Sequence, residues 1–167
     1  VVISGTSDGV QAAERALSEA CSEDLRIRRL KVSTAFHSPL VAESAVPFAG
    51  FLSGVAFEPQ RLPVWCGETA APHALEAEAK RQRLAQQIAR RVRFVDMVEH
   101  MADSGIQTFI EVGPGSVLTS LVGQVLKGRP HRALSLDRRG SCGIESLTRG
   151  LAQLVAAGLS IDLTALW

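Results

Sequence analysis

Residues 107–136 read QTFIEVGPGSVLTSLVGQVLKGRPHRALSL, and the reading of this stretch decides the fold class. Gln107 to Val112 is a short apolar run with the composition of a strand. Gly113-Pro114-Gly115 breaks it with a turn that needs glycine conformations. From Ser116 to about Leu126 the spacing predicts a helix, and Arg132 to Leu136 is again a strand.

The same alternation continues outward. Upstream, Phe94 to Asp103 reads as an amphipathic helix ended by Gly105, and roughly Leu75 to Arg90 as a charged helix. Arg61 to Cys66 is an apolar strand. Ser38-Pro39 marks a helix start, with serine as N-cap and proline at the first position. That helix runs to about Ser53 and should bury Leu40, Val41, Ala45, Phe48, Ala49 and Leu52. Arg26 to Val32 alternates as a strand does. Ser7 to Ser22 predicts a helix with Val10, Ala13, Ala16, Leu17 and Ala20 on one face. Val1 to Ser4 is a β-branched strand ending at Gly5. Downstream, Ile144 to Ala157 is a helix stopped by Gly158. Strands alternating with helices across short glycine-rich turns predict an α/β protein with a mainly parallel sheet.

Composition narrows the class. Of 167 residues, 46% are hydrophobic and 21% charged, which excludes collagen-like, disordered and coiled-coil chains. A net charge of +1 points to no nucleic-acid partner. No apolar run reaches the roughly 18 residues of a membrane span, so a soluble protein is expected. Cys21, Cys66 and Cys142 stand far apart without metal-ligand spacing, against zinc or a disulfide framework and in keeping with a reducing cytoplasm. The chain has no signal peptide and opens on the apolar run Val1-Val2-Ile3, from which we expect a piece of a longer protein.

Three segments are candidates for chemistry. Gly5-Thr6-Ser7-Asp8-Gly9 fits the G-x-S-x-G pattern that exposes a nucleophilic serine on a strand-to-helix turn; the preferred reading is that Ser7 or Asp8 caps the helix. In Thr34-Ala35-Phe36-His37-Ser38-Pro39 a histidine stands between a strand and a helix N-cap, on the kind of loop where α/β folds place their chemistry. An imidazole with a pKa near 6.5 can take a proton from a serine and return it to a leaving group; a surface histidine is the bland alternative. Glu111 to Ser116 could present helix amides to a phosphate. It lacks both nucleotide fingerprints, so a tight structural turn is preferred. The basic cluster Lys80, Arg81, Arg83, Arg90, Arg91 and Arg93 reads as a solvated helix face, or else as an attraction for an acidic partner or polyphosphate.

Taken in order, Val2-Ile3-Ser4-Gly5, Val32-Ser33-Thr34-Ala35-Phe36-His37-Ser38-Pro39-Leu40, Val92-Arg93-Phe94 and Phe109-Ile110-Glu111-Val112-Gly113-Pro114-Gly115-Ser116-Val117-Leu118 resemble the malonyl-CoA:acyl-carrier-protein acyltransferase family. The likeness is greatest to acyltransferase domains of polyketide and polyunsaturated-fatty-acid synthases. It covers nearly the whole chain. Leu151, Ala156, Ala157, Gly158 and Asp162 to Trp167 are similar to the linker that follows such domains.

The resemblance implies a C-terminal portion of that domain. Residues 1–34 would be the second half of a ferredoxin-like small subdomain, 35–145 the C-terminal part of an α/β-hydrolase-like parallel sheet, and 146–167 the following helix and linker. Alone, the strands at Val1–Ser4 and Arg26–Val32 would flank a gap and leave backbone groups unpaired. The resemblance further implies ping-pong transfer: a serine takes malonyl from coenzyme A, His37 acts as its base, and the acyl group passes to the phosphopantetheine thiol of an acyl carrier protein. No tightly bound cofactor is expected.

In the family a backbone carbonyl orients the histidine, and the matching residue here is Gln87. Phe36 matches an aromatic that goes with malonyl, since a phenyl ring fills the space an α-methyl would need. Thr34 and Arg91 depart from the family's usual His and Pro. The serine elbow and the arginine for the malonyl carboxylate lie upstream in the family, so an N-terminal half is expected to complete the site, with neighbouring synthase domains as further partners. The rival readings are a non-catalytic remnant or docking module of a synthase, and a small serine hydrolase using Ser7 and His37.

Overall fold

The computed structural model describes residues 1–21, 25–74 and 76–166. Ser22, Leu75 and Trp167, named above as helix ends and as the close of the tail, lie outside them. The chain forms two compact units, Val1–Phe94 and Val95–Trp167, each of mixed helix and sheet.

In the first unit α1 (Ser7–Ala20) turns Val10, Ala13 and Leu17 to its half-buried face, while Ala16 and Ala20 are exposed. Its N-cap is Thr6 rather than Ser7 or Asp8: the Thr6 hydroxyl accepts from the Gly9 N–H at 3.1 Å. Ser7 and Asp8 already have helical backbone, and a cap must precede it. Residues 1–4 and 26–32, expected as strands that alone would leave backbone groups unpaired, form no strand ladder among the described residues, and Val2, Leu30 and Val32 are exposed. An alternating pattern makes a strand only where a neighbouring backbone takes up its N–H and C=O groups. Arg29 reaches Glu14 of α1 at 2.8 Å, an exposed pair that ties the second segment only loosely.

Ser38 caps the next helix as expected, with Pro39 at its first position. That helix is tight 3₁₀ over Pro39–Ser44 and becomes α2 (Ala45–Ser53) only afterwards. Pro47, in the first turn of α2, has no N–H to donate to the Glu43 carbonyl one turn back. The strand expected at Arg61–Cys66 is reduced to β1 (Trp65–Cys66), in an antiparallel hairpin with β2 (Ala71–Pro72). Pro63 and Pro72 lack donors and cut the ladder short.

α3 (Ala77–Gln87) packs on α2. Val41, Leu52, Cys66, Ala70 and Ala85 are the buried apolar residues of this unit. Arg81 closes the end of α2: its guanidinium donates to the carbonyls of Leu52 and Val55 at 3.2 and 3.0 Å and lies 5.2 Å from the centre of the Phe57 ring.

α4 (Phe94–Asp103) begins at the boundary and leads into the second unit. There β3 (Thr108–Pro114), α5 (Val117–Val125) and β4 (Arg132–Asp137) form the β-α-β unit read from residues 107–136. The strands are parallel, Thr108 opposite Arg132 through Glu111 opposite Ser135, with a register shift between Glu111 and Pro114. α6 (Gly143–Ala156) lies on β4 at Gly150, where a Cβ would stand 2.5 Å from Leu136 Cδ2. Val98, Val122, Leu126, Leu134 and Leu154 are the buried apolar residues. Among the described residues no helix is long and apolar enough to cross a membrane.

The Gly113-Pro114-Gly115 turn needs its glycines, with φ of +154° and +110°. The amides it leads to are already occupied. The Glu111 carboxylate accepts from the Leu118 N–H at 3.2 Å and from the Thr119 N–H and hydroxyl, both at 2.7 Å. An internal carboxylate thus fills the place of an external anion, and the structural reading of this turn holds. Desolvation pushes the Glu111 carboxyl upward. The bonds from Thr119, Leu118 and Val117 outweigh it and hold the pKa below the usual carboxylate value.

A depressed acid stabilises the fold above its unfolded pKa and loses that contribution as pH falls through the folded one. Glu111→Gln should therefore destabilise the chain at pH 7 by about 1 kcal/mol, the usual worth of a helix cap. Thermal unfolding should show the difference from wild type shrinking as the pH drops below the ordinary value of 4.5.

Candidate active site

A helix ends with carbonyls that have no N–H ahead of them to accept from. At the end of α3, where the Gln87 carbonyl accepts from the Arg90 N–H at 3.2 Å, the loop that carries His37 supplies further donors. The His37 backbone N–H donates to the Ile88 carbonyl at 2.8 Å. Its ring Nδ1 stands 3.0 Å from the carbonyl oxygen of Gln87 and 3.0 Å from that of Arg90. Both partners are acceptors, so Nδ1 carries the proton of the neutral ring and the lone pair is left on Nε2. Nε2 takes no hydrogen bond among the described residues, and the residue is exposed. The imidazole is held by one nitrogen and presented by the other.

The loop conformation is unusual. His37 has φ +60°, in the left-handed region where a non-glycine residue is strained and histidine is tolerated better than most. Ser38 braces it. Only 3% exposed, its hydroxyl donates to the Ala35 carbonyl at 2.7 Å and accepts from the Leu40 N–H at 3.3 Å. Phe36, next to His37, is 49% exposed.

The β1–β2 turn fastens the far side of residues 87–93. The Gln87 side-chain amide donates to Cys66 Sγ at 3.4 Å, and Arg93 donates through its backbone N–H to Gly67 O at 2.7 Å. Glu68 lies between two arginines, 3.2 Å from Arg83 and 3.7 Å from Arg90. Behind it His73 is held below its ordinary pKa, by burial first and then by the charges of Arg83 and Lys80.

The basic cluster is accordingly no plain solvated face. Arg81, Arg83, Arg90 and Arg93 have partners within the chain, Lys80 is 8% exposed, and Arg91 faces solvent. The structure brings Gln87 to His37 and keeps Phe36 at its side. It adds the Arg90 carbonyl, which no side-chain pattern marks. Ser7 opens α1 and makes no hydrogen bond to His37 among the described residues; no group there of three or more His, Cys, Asp or Glu could hold a metal ion.

This geometry requires the Nδ1–H tautomer of neutral His37. Long-range ¹H–¹⁵N spectra of the ring should show Nδ1 protonated and Nε2 as the pyridine-type nitrogen, and a predominant Nε2–H form would contradict it.

No family model matches the chain. Several known proteins do. The chain is 35% identical over 127 residues to the polyketide biosynthesis malonyl CoA-acyl carrier protein transacylase PksC of Bacillus subtilis, covering 76% of this chain and 43% of that protein. It is 34% identical over 166 residues to polyketide synthase GfsA of Streptomyces halstedii, covering 99% of this chain and 2% of that one. Among solved structures, the acyltransferase domain from the second module of the salinomycin polyketide synthase superposes with a TM-score of 0.84 at 28% identity, over 96% of this chain and 37% of that one. A malonyl-transacylase in complex with its type II acyl-carrier protein superposes with a TM-score of 0.78, also at 28% identity, over 89% and 45%. The chain spans less than half the length of each of these relatives.

Proposed function

We propose, from the chain's membership in the malonyl-CoA:acyl-carrier-protein acyltransferase family, that it contributes the histidine base to transfer of a malonyl group from coenzyme A to the phosphopantetheine thiol of an acyl carrier protein. The observation that carries this reading is the His37 ring, fixed at Nδ1 by two carbonyls and unengaged at Nε2.

The mechanism follows from that ring. Nε2 takes the proton of a serine hydroxyl as its oxygen attacks the thioester carbonyl of malonyl-CoA. When the tetrahedral intermediate collapses, the imidazolium returns the proton to the departing coenzyme A thiolate, leaving malonyl on the serine as an ester. In the second half the carrier thiol gives its proton to Nε2 as its sulfur attacks the ester. When the second tetrahedral intermediate collapses, the imidazolium returns that proton to the departing serine oxygen, leaving malonyl on the carrier as a thioester. The partial negative charges of the Gln87 and Arg90 oxygens stabilise the imidazolium in both halves. The serine belongs to the part of the domain outside residues 1–167, and so does the arginine that pairs with the malonyl carboxylate.

Residues 1–34 are half of a ferredoxin-like subdomain, and β3 and β4 are strands of a larger parallel sheet. Exposed apolar side chains at Val2, Leu30, Val32 and Val112 support it, since surfaces of this kind are covered in a finished domain. The carrier protein, the coenzyme A thioester and the rest of the synthase are then the partners.

In the complete domain, His37→Ala should slow formation of the malonyl-enzyme by ~10²-fold or more, the contribution of a general base. Mass spectrometry of the acylated protein against time measures it, and an unchanged rate would overturn the assignment. Phe36 adds a second expectation. Phe36→Ser should admit an α-methyl and lower the preference for malonyl- over methylmalonyl-CoA by about 10-fold, within the range one methyl is worth in a pocket. Competition between the two thioesters reads it.

A further inference from the structure

We infer that Glu68 is a positioning residue for the His37 imidazole, acting through Arg90; this rests on His37 being the base. One of the two carbonyls that hold Nδ1 belongs to Arg90, in the turn that follows α3. The Arg90 side chain reaches Glu68 at 3.7 Å, and the same carboxylate takes a bond from Arg83, inside α3, at 3.2 Å. Glu68 therefore joins the body of the helix to the turn beyond it. Its side chain is 22% exposed, the least of the three, so the network closes on a half-buried centre rather than on a freely solvated pair.

Other contacts show that this joint is built. The carboxylate comes from the β1–β2 turn, which meets residues 87–93 at further points. The Gln87 amide bonds Cys66 Sγ, the Arg93 N–H bonds Gly67 O, and a Cβ on Gly67 would touch Val92 Cγ1 at 3.4 Å. Cys66 and Ala70, which bracket the turn, are fully buried at 1% and 0%. The turn is thus a fixed anvil, and the Glu68 carboxylate ties it ionically to the segment that carries the carbonyls.

Charge gives the second reason. Arg83 and Arg90 are seven residues apart, on one side of the helix and its continuation, with Lys80 and His73 close to Arg83. Without the carboxylate these like charges repel. The turn at Arg90 lies beyond the α-helical ladder, its N–H bonded to the Gln87 carbonyl at 3.2 Å, and is the part that a lost ion pair would displace. A displacement of about 1 Å at a catalytic group is enough to cost on the order of 10²-fold in rate.

The test uses the complete acyltransferase domain, with malonyl-enzyme formation from malonyl-CoA followed by quenched flow. Glu68→Gln, isosteric but neutral, should lower the maximal rate by about 10- to 100-fold and leave KM for malonyl-CoA within twofold. In the His37→Ala background the same change should add nothing, because its effect runs through the imidazole. A further loss of equal size there would overturn the proposal, as would a single variant within twofold of wild type. Should Glu68→Gln fail to fold, Arg90→Gln breaks the same tie from the other end while leaving the Glu68–Arg83 pair. It should slow the rate likewise, and an unchanged rate would also be decisive against it. His37→Ala alone separates the two readings: if it has no effect the base assignment falls, whereas if it is slow and Glu68→Gln is not, only the positioning role falls.

Discussion

The carbonyl groups at the end of α3 lack the full helical set of N–H donors, Gln87 accepting locally from the Arg90 N–H at 3.2 Å, and the candidate site is the answer to that constraint. Three carbonyls, on Gln87 and Ile88 at that end and on Arg90 in the turn beyond it, receive the backbone and ring donors of one residue, His37. The helix gains a cap, and the imidazole gains a tautomer and an orientation. Neither holds without the left-handed backbone of His37, which turns N–H and ring toward the same helix end, or without Ser38, whose hydroxyl closes the loop on both sides. Carbonyl dipoles also differ from a carboxylate partner. They aim the ring without setting a full negative charge beside it, so orientation and charge are supplied by different groups.

What was legible in the sequence was local. The run 107–136 carries its own turn chemistry, and its β-α-β unit stands almost to the residue. Ser38-Pro39 likewise announces its own cap. Segments whose form depends on distant neighbours were legible only in part. Residues 26–32 alternate like a strand and residues 1–4 are β-branched, yet strand pairing is a property of two backbones, and neither segment forms a ladder among the described residues. Pro63 was visible, but its effect on the shortened β1 follows from which strand it would have had to serve.

The site divides in the same way. His37 and Phe36 stand in a contiguous motif, and Gln87 came from family likeness. The Arg90 carbonyl could come from neither, because a backbone acceptor has no letter of its own and its side chain pointed the reading toward solvent. The arginines show the general difficulty. As letters they form a basic patch. In three dimensions Arg81 caps α2, Arg83 and Arg90 share Glu68, and Arg93 bonds the hairpin turn. Net charge along a helix says little about outward field when the counter-groups are carbonyls and a carboxylate from a separate hairpin.

Two acids illustrate how the chain manages its helix ends. At the start of α5 the exposed groups are N–H donors, and Glu111 accepts from them directly. At the end of α3 the exposed groups are acceptors, which no carboxylate can meet, so His37 supplies the donors and Glu68 works one step removed, through arginine. The first arrangement is self-contained and leaves no donor over, as befits a structural turn. The second ends on a nitrogen with its lone pair unused. That asymmetry, more than any motif, separates the segment that holds the fold from the segment that can do chemistry.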